Sequence, residues 1–189
     1  FYEKYPNVRV DIVEQNSMAL EDRLIEGSID LAIVALPLTR LTHEVEFIKK
    51  DEIFIVANRK HPIMQFAHRQ KNSPYYWVDL QDTASFEYIL SDYDTILGSM
   101  SRRQFQKAGI KPIAFNTNIS ADLGAAMARA GLGLAFTYHS CAENYPDTEY
   151  ISIGKDGVFL ELALAHPYST YQSKAALALG NVIREVFCH

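Results

Sequence analysis

Three groupings of side chains in this 189-residue sequence are of types that carry chemistry. The first is "HSCAE", which places His139, Cys141 and Glu143 close together. These are metal-ligand types, but a tetrahedral metal site needs four ligands, and no second cluster supplies the remainder. The second is "GSMSR", with Ser99 and Ser101. It lacks the G-x-S-x-G elbow and falls inside a helical pattern, so the serines read as helix-packing or solvent-facing residues. The third is "ARAGLGLAF", residues 128–136. A phosphate loop needs the order strand, glycines, helix, so that the helix N-terminus meets the anion. Here a helix precedes Gly131 and a strand follows Gly133. Gly131 therefore reads as a helix terminator with positive φ, and Gly133 as room for close packing. No metal, no cofactor and no enzymatic activity are expected from these groupings.

A fourth pattern remains: polar residues just beyond the ends of predicted strands. Gln15, Asn16 and Ser17 follow "VRVDIVE" and open a helix; Ser91, Asp92 and Tyr93 follow "EYIL"; Asn118 and Ser120 follow "PIAFNT". In open parallel sheets, ligands lie outside the carboxyl ends of strands, where helix N-termini offer unpaired N–H groups. Taken singly each such residue is a helix cap; three such junctions together suit a polar site for a small polar or anionic metabolite.

The elements that must position these residues alternate along the chain. "VRVDIVE" (residues 8–14) alternates polar and apolar residues and reads as a strand. "MALEDRLIEG" reads as a helix with Leu20, Leu24 and Ile25 on one face and Gly27 as terminator. "DLAIVAL" is a near-continuous apolar run suited to a buried parallel strand, completing a βαβ unit. A second series follows: strands "EIFIVANR" and "EYIL", a helix ending at Ala108-Gly109, strand "PIAFNT", and a helix capped by Ser120. Strands "GLAFT" and "VFLELALA" and a helix capped by Ser173 complete an α/β architecture. "RKH" (residues 59–61) and Arg102-Arg103 read as solvated basic faces.

Composition agrees with a globular α/β chain: 48% hydrophobic, 22% charged. A net charge of −5 excludes nucleic-acid binding through a basic face of this segment. No apolar run approaches the roughly 20 residues of a membrane-spanning helix. Residues 1–5 read as the tail of a helix begun upstream, and the chain as a fragment. Cys141 and Cys188 stand far apart, outside any CxxC, and read as reduced thiols.

The stretches "FYEKYPNVRVDIVE", "LIEGSIDLAIVA", "EIFIVANRKHPI", "FQKAGIKPIAF" and "MARAGLGLAF", in this order, resemble the effector-binding domain of LysR-type transcriptional regulators. The resemblance implies two Rossmann-like lobes joined by two crossover strands, the type 2 periplasmic-binding-protein fold, here without its first strand. Lobe I would comprise residues 1–50 and 157–189, and lobe II residues 51–156. An N-terminal winged helix-turn-helix domain, absent from this chain, would contact DNA. A small-molecule effector would bind between the lobes of a cytoplasmic homo-oligomer, dimeric or tetrameric, and alter how its subunits pack on DNA. The helix that starts at Met18, with the "VRVDIVE" strand, would pack against a partner's second lobe. Carried over position by position, the effector residues are Gln15, Asn16, Ser17, Ala35, Leu36, Ser91, Asp92, Tyr93, Asn118, Ser120 and Thr137. A solute-binding protein of an uptake system uses the same fold and is the alternative. A small transferase or dehydratase would need an acid–base pair that the sequence does not display.

Overall fold

In the computed structural model, which describes residues 1–43, 45–69, 71, 73–168 and 173–187, helices begin where a side-chain oxygen caps the first turn. In chain order the elements are α1 (Ser17–Ile25), β1 (Ala32–Ala35), β2 (Glu46–Asn58), β3 (His68–Arg69), β4 (Tyr76–Val78), β5 (Glu87–Ser91) and α2 (Ile96–Ala108). They continue with β6 (Ile113–Ile119), α3 (Ala121–Arg129), β7 (Leu134–Tyr138), β8 (Thr148–Ile153), β9 (Phe159–Ala165) and α4 (Lys174–Phe187). Asn16 caps α1, Ser120 caps α3, and the Ser173 hydroxyl accepts from Ala176 N at 3.0 Å to cap α4. Gly27 (φ +68°) and Gly109 (φ +68°) follow their helices in the left-handed conformation.

The chain divides into two compact units, one formed by Phe1–Lys50 with Leu160–His189 and the other by Asp51–Phe159. Two long strands carry the chain across. β2 starts in the first unit and runs into the second, and β9 starts at the last residue of the second and returns.

In the first unit β1 pairs antiparallel with β9, Ala32 opposite Ala165 and Ala35 opposite Leu162. Leu24, Val34, Ala163 and Ala165 form its core, joined by Leu20 and Leu36. Burying a leucine such as Leu24 completely stabilises by about 1.5–3 kcal/mol. Ile25, expected beside Leu24, is exposed instead, because the buried stripe runs through Leu20, Glu21 and Leu24.

Residues 8–14 correct the sequence reading: they form no strand. Alternation alone does not make a strand; a ladder partner is required. The Val10 backbone is engaged instead by the Tyr2 hydroxyl, which receives its N–H at 3.2 Å. A cavity of about 780 Å³ lies between this segment, residues 29–33 of the β1 side, α1 and α4. β1 is correspondingly not the parallel strand expected from its apolar run, and the βαβ unit does not close. Residues 1–5 make a single turn, with Lys4 N and Tyr5 N both donating to Phe1 O at 3.0 Å.

The second unit is built on a mixed sheet in the order β3-β4-β8-β2-β7-β5-β6. β5 runs parallel to β6 and β7, β4 parallel to β8, and β2 antiparallel to β7 and β8. Phe54, Val56, Ile89, Ala128 and Tyr150 pack into its core. On the α2 side, the Tyr88, Phe105 and Phe136 rings meet at 4.9–5.7 Å. Tyr88 sends its hydroxyl to Thr83 Oγ1 at 2.7 Å, so the one polar atom of this cluster is satisfied.

Candidate functional site

In the first unit, two hydrogen bonds bring the expected residues together. Asn16 Oδ1 accepts from Ala19 N at 2.9 Å, and Ser17 Oγ accepts from Ala35 N at 3.1 Å. The second bond fastens the N-terminus of α1 to the carboxyl end of β1, and so sets Ser17 beside Ala35 and Leu36. Leu36 is held in turn by Glu161 O, at 2.8 Å from its N–H. Gln15 is exposed at the head of this turn.

Sequence reasoning missed the group that fixes the loop beyond Leu36. Glu21, 1% exposed, accepts from Thr39 N (3.0 Å), Arg40 N (2.6 Å), Leu41 N (2.9 Å) and the Thr39 hydroxyl (3.2 Å). The signal was present: Glu21 stands four residues after Ser17 on the same helix face, beside Leu20 and Leu24. On that face a carboxylate needs buried donors.

In the second unit the parallel run of β5, β6 and β7 puts their carboxyl ends at one edge. Ser91, Asn118 and Thr137 therefore lie at the same end of the sheet, which is also where β2 enters from Lys50. Thr137 is 3% exposed, and no described residue hydrogen-bonds to its hydroxyl. Asn118 lies near the end of β6, and Ser120 Oγ accepts from Leu123 N at 3.4 Å as the cap of α3.

Residues 91–93 do not open a helix directly, which corrects the sequence reading. Thr95 is the cap of α2: its Oγ1 accepts from Gly98 N at 3.0 Å and donates to Asp92 O at 2.7 Å. The Asp92 carboxylate turns back onto Asp94 N at 3.0 Å, and Tyr93 is 65% exposed. Arg102 also departs from expectation. Only Arg103 is a solvated residue; Arg102 is half-buried and bonded to backbone carbonyls.

Beyond Thr137 the chain is held by a buried acid. Asp51, 2% exposed, accepts from Ser140 N at 3.0 Å and Ser140 Oγ at 2.5 Å. Burial, with Cys141 and Asp51 nearby, pushes the Tyr138 hydroxyl up to about 12. Burial likewise pushes the exposed-edge Cys141 thiol up, reinforced by Asp122, Asp51 and Glu143, so it stays protonated near neutral pH. His139 Nε2 lies 3.3 Å from the Tyr75 hydroxyl and packs edge-on to Phe54. Among the described residues no group of three or more His, Cys, Asp or Glu side chains could hold a metal ion. Cys188 lies outside the described residues.

The glycines of "ARAGLGLAF" follow the geometry read from their order. Gly131 has φ +87° after α3, and Gly133 has φ +143° before β7. A Cβ at Gly133 would stand 2.9 Å from Glu87 O, the close approach of β7 to β5. Among the described residues no helix is long and apolar enough to cross a membrane.

Comparison with known proteins accounts for this arrangement. A probable RuBisCO transcriptional regulator of Cyanidium caldarium is 24% identical over 198 residues, 100% of this chain and 57% of that protein. The uncharacterized HTH-type transcriptional regulator YwbI of Bacillus subtilis is 25% identical over 135 residues, 71% of this chain and 42% of the relative. The chain thus spans about half the length of the curated relatives it matches. Among solved structures, the regulatory domain of Synechocystis PCC6803 CcmR in complex with 2-PG superposes with a TM-score of 0.79 at 14% identity, covering 98% of this chain and 86% of that one. The BenM effector binding domain with its effector benzoate gives 0.74 at 16% identity, covering 99% and 82%. The effector binding domain of QuiR in complex with shikimate gives 0.75 at 18% identity, covering 98% and 85%. The family model of the LysR substrate binding domain matches residues 1–188, and the chain belongs to that family.

Proposed function

We propose that this chain senses a small polar or anionic metabolite for a LysR-type transcriptional regulator and has no catalytic activity of its own. The family match over residues 1–188 carries the reading. The geometry supports it, because several of the expected residues lie close together within each unit. Ser17, Ala35 and Leu36 meet in one unit; Ser91, Asn118, Ser120 and Thr137 share a sheet edge in the other. The residues proposed to engage the metabolite are Gln15, Asn16, Ser17, Ala35, Leu36, Ser91, Asp92, Tyr93, Asn118, Ser120 and Thr137.

The chemistry here is recognition. The relatives' solved complexes hold benzoate, shikimate and 2-PG, which makes small organic acids the first compounds to test. A metabolite that binds one arrangement of the units better than another biases that arrangement, and a subunit interface that differs between arrangements transmits the bias. α1 contributes to an isologous two-fold contact in a cytoplasmic homo-oligomer. DNA contacts belong to a separate winged helix-turn-helix domain, in keeping with the net charge of −5 here.

The test is a thermal-shift panel of organic acids that includes benzoate and shikimate, followed by Thr137→Val. A compound at 100 times its dissociation constant adds about 2.7 kcal/mol. Thr137→Val keeps the shape and breaks no internal hydrogen bond, so a compound bound at this site loses about fivefold or more in affinity with folding unchanged. Hits whose affinity ignores Thr137→Val place the site elsewhere, and turnover of any compound by the purified chain refutes the non-catalytic reading.

A further inference from the structure

The pairing of β5 with β6 is irregular toward its carboxyl end. Their parallel register slips between Tyr88 and Ile89 and again between Ile89 and Ser91, so that Ser91 ends opposite Ile119. Irregular pairing leaves backbone groups of the two strands without their regular ladder partners. β6 ends the sheet path, so no further strand of that path braces it.

Arg102 spans this gap. Its Nη1 donates to Ser91 O at 2.8 Å, at the end of β5, and to Gly98 O at 2.9 Å within α2. Its Nη2 donates to Thr117 O at 3.3 Å, near the end of β6. The guanidinium carbon lies 5.7 Å from the centre of the Tyr93 ring. No described carboxylate pairs with it, so its donors serve backbone carbonyls. A planar fork with donors on both nitrogens can hold two strands at a set spacing; a point-charge ammonium cannot.

The seating of α2 makes this reach possible. A Cβ at Gly98 would stand 1.8 Å from Asp92 O, so the helix lies directly against the turn that follows β5. Only glycine allows that approach, four residues before Arg102 on the same helix face.

We infer that Arg102 is a positioning residue of the effector site, fixing the separation between two bends of the chain, the one at residues 91–95 after β5 and the one at residues 117–120, where β6 ends and α3 is capped. The inference rests on the effector-binding reading for its functional meaning. By setting that separation Arg102 determines which metabolites Ser91, Tyr93, Asn118 and Ser120 can contact together, without touching the metabolite itself.

Amide hydrogen exchange on the ligand-free chain tests this directly, with Arg102→Met, Arg102→Lys and, as control, Arg103→Met. Arg103 is exposed and next in the same helix. Arg102→Met is expected to speed exchange tenfold or more in both bends, while β8 amides stay within twofold of wild type. Arg103→Met is expected to change neither bend. Arg102→Lys keeps the charge and the aliphatic stem, and guards against a failure of the methionine variant to fold. Its single ammonium is expected to leave at least one bend exchanging fivefold faster. Bends that exchange at the wild-type rate in Arg102→Lys and Arg102→Met overturn the inference. So does loosening spread evenly through α2 and the sheet, which marks plain loss of stability. The organic-acid panel, benzoate and shikimate included, is run on the same proteins, and any compound that binds wild type is expected to bind Arg102→Met at least tenfold more weakly. Unchanged affinity overturns the role in recognition. Loosened bends in a protein that binds none of the panel contradict the effector reading and leave the positioning of the bends standing.

Discussion

Glu21 offers the sharpest test of how the first unit holds its loop. Its carboxylate is 1% exposed and takes three backbone N–H donors, from Thr39, Arg40 and Leu41, plus the Thr39 hydroxyl. Glu21→Ala removes every one of these acceptor sites and leaves the N–H groups facing a void. Hydrogen bonds to a charged group contribute about 1.5–3 kcal/mol each, but they do not add, because water and loop relaxation recover part of the loss. Each buried donor left without an acceptor costs about 1–3 kcal/mol, and with partial relaxation a total of about 3–5 kcal/mol is the expected penalty for alanine. Glu21→Gln keeps one carbonyl oxygen in place and is expected to cost about 1–3 kcal/mol. Urea unfolding followed by far-UV circular dichroism measures both. The signal matters, because the single tryptophan, Trp77, belongs to the second unit and does not report on the first. The midpoint should fall with the denaturant slope unchanged. A cost below about 1 kcal/mol for Glu21→Ala, no more than a surface change, would refute the assignment of Glu21 as the anchor of this loop.

Other consequences are equally specific. Gly131→Ala is expected to cost about 1 kcal/mol for its positive φ alone, and Gly133→Ala clearly more, since its Cβ also meets Glu87 O at 2.9 Å; thermal melts that rank the two in reverse contradict the packing described. Burial pushes the Glu52 carboxyl above the usual glutamate range, outweighing the Ser152 hydroxyl and His139. The folded state then holds that proton more tightly than the unfolded chain, so the contribution of Glu52 to stability falls as pH rises from the unfolded value through the raised folded one. Glu52→Gln should therefore be the more stable protein at pH 7, with the advantage vanishing below the ordinary glutamate range; a gain that persists unchanged into acid speaks against this origin. In a Cys188→Ser background, Cys141 should react with a thiol reagent more slowly than a free cysteine peptide at pH 7, because its raised pKa leaves little thiolate. Reaction as fast as the peptide's would show that the thiol is not held protonated.

Features governed by neighbours in sequence were readable in advance. Ser120 and Ser173 cap their helices, Gly109 and Gly131 end theirs, and Gly133 makes room for Glu87, because each depends on a few adjacent residues and on backbone sterics. Residues 8–14 were misread for the opposite reason. Their alternation specifies which side chains a strand would bury, but a strand also needs a partner edge, and the Tyr2 hydroxyl takes the Val10 backbone instead. β1 has β9 as its antiparallel partner, and β9 lies well over a hundred residues later. Such pairing leaves no local trace.

The candidate site divides along the same line. Asn16, Ser17, Ser91, Ser120 and Thr137 could be picked out because they stand just beyond strand-like stretches. The residues that hold them were missed. In sequence Glu21 is one more charge on a helix, Arg102 half of a basic pair, and Asp51 an acid just before a strand. Each reaches at least one backbone group 11 or more positions away in the chain. Asn16 and Ser120 also show a cost of reading function from caps: replacing either removes a helix cap, worth about 0.5–2 kcal/mol, so lost binding in such a variant would confound recognition with stability. Thr137, buried and with no hydrogen bond to its hydroxyl among the described residues, is the cleaner probe.

The most direct test of the sensing role is to map, by amide chemical shift, where an organic acid from the panel binds. Perturbations are expected at Ser17, Ala35, Leu36, Ser91, Asn118, Ser120 and Thr137. Shifts that leave all of these residues unmoved, or that centre on the cavity of about 780 Å³ beside residues 8–14, would contradict that role.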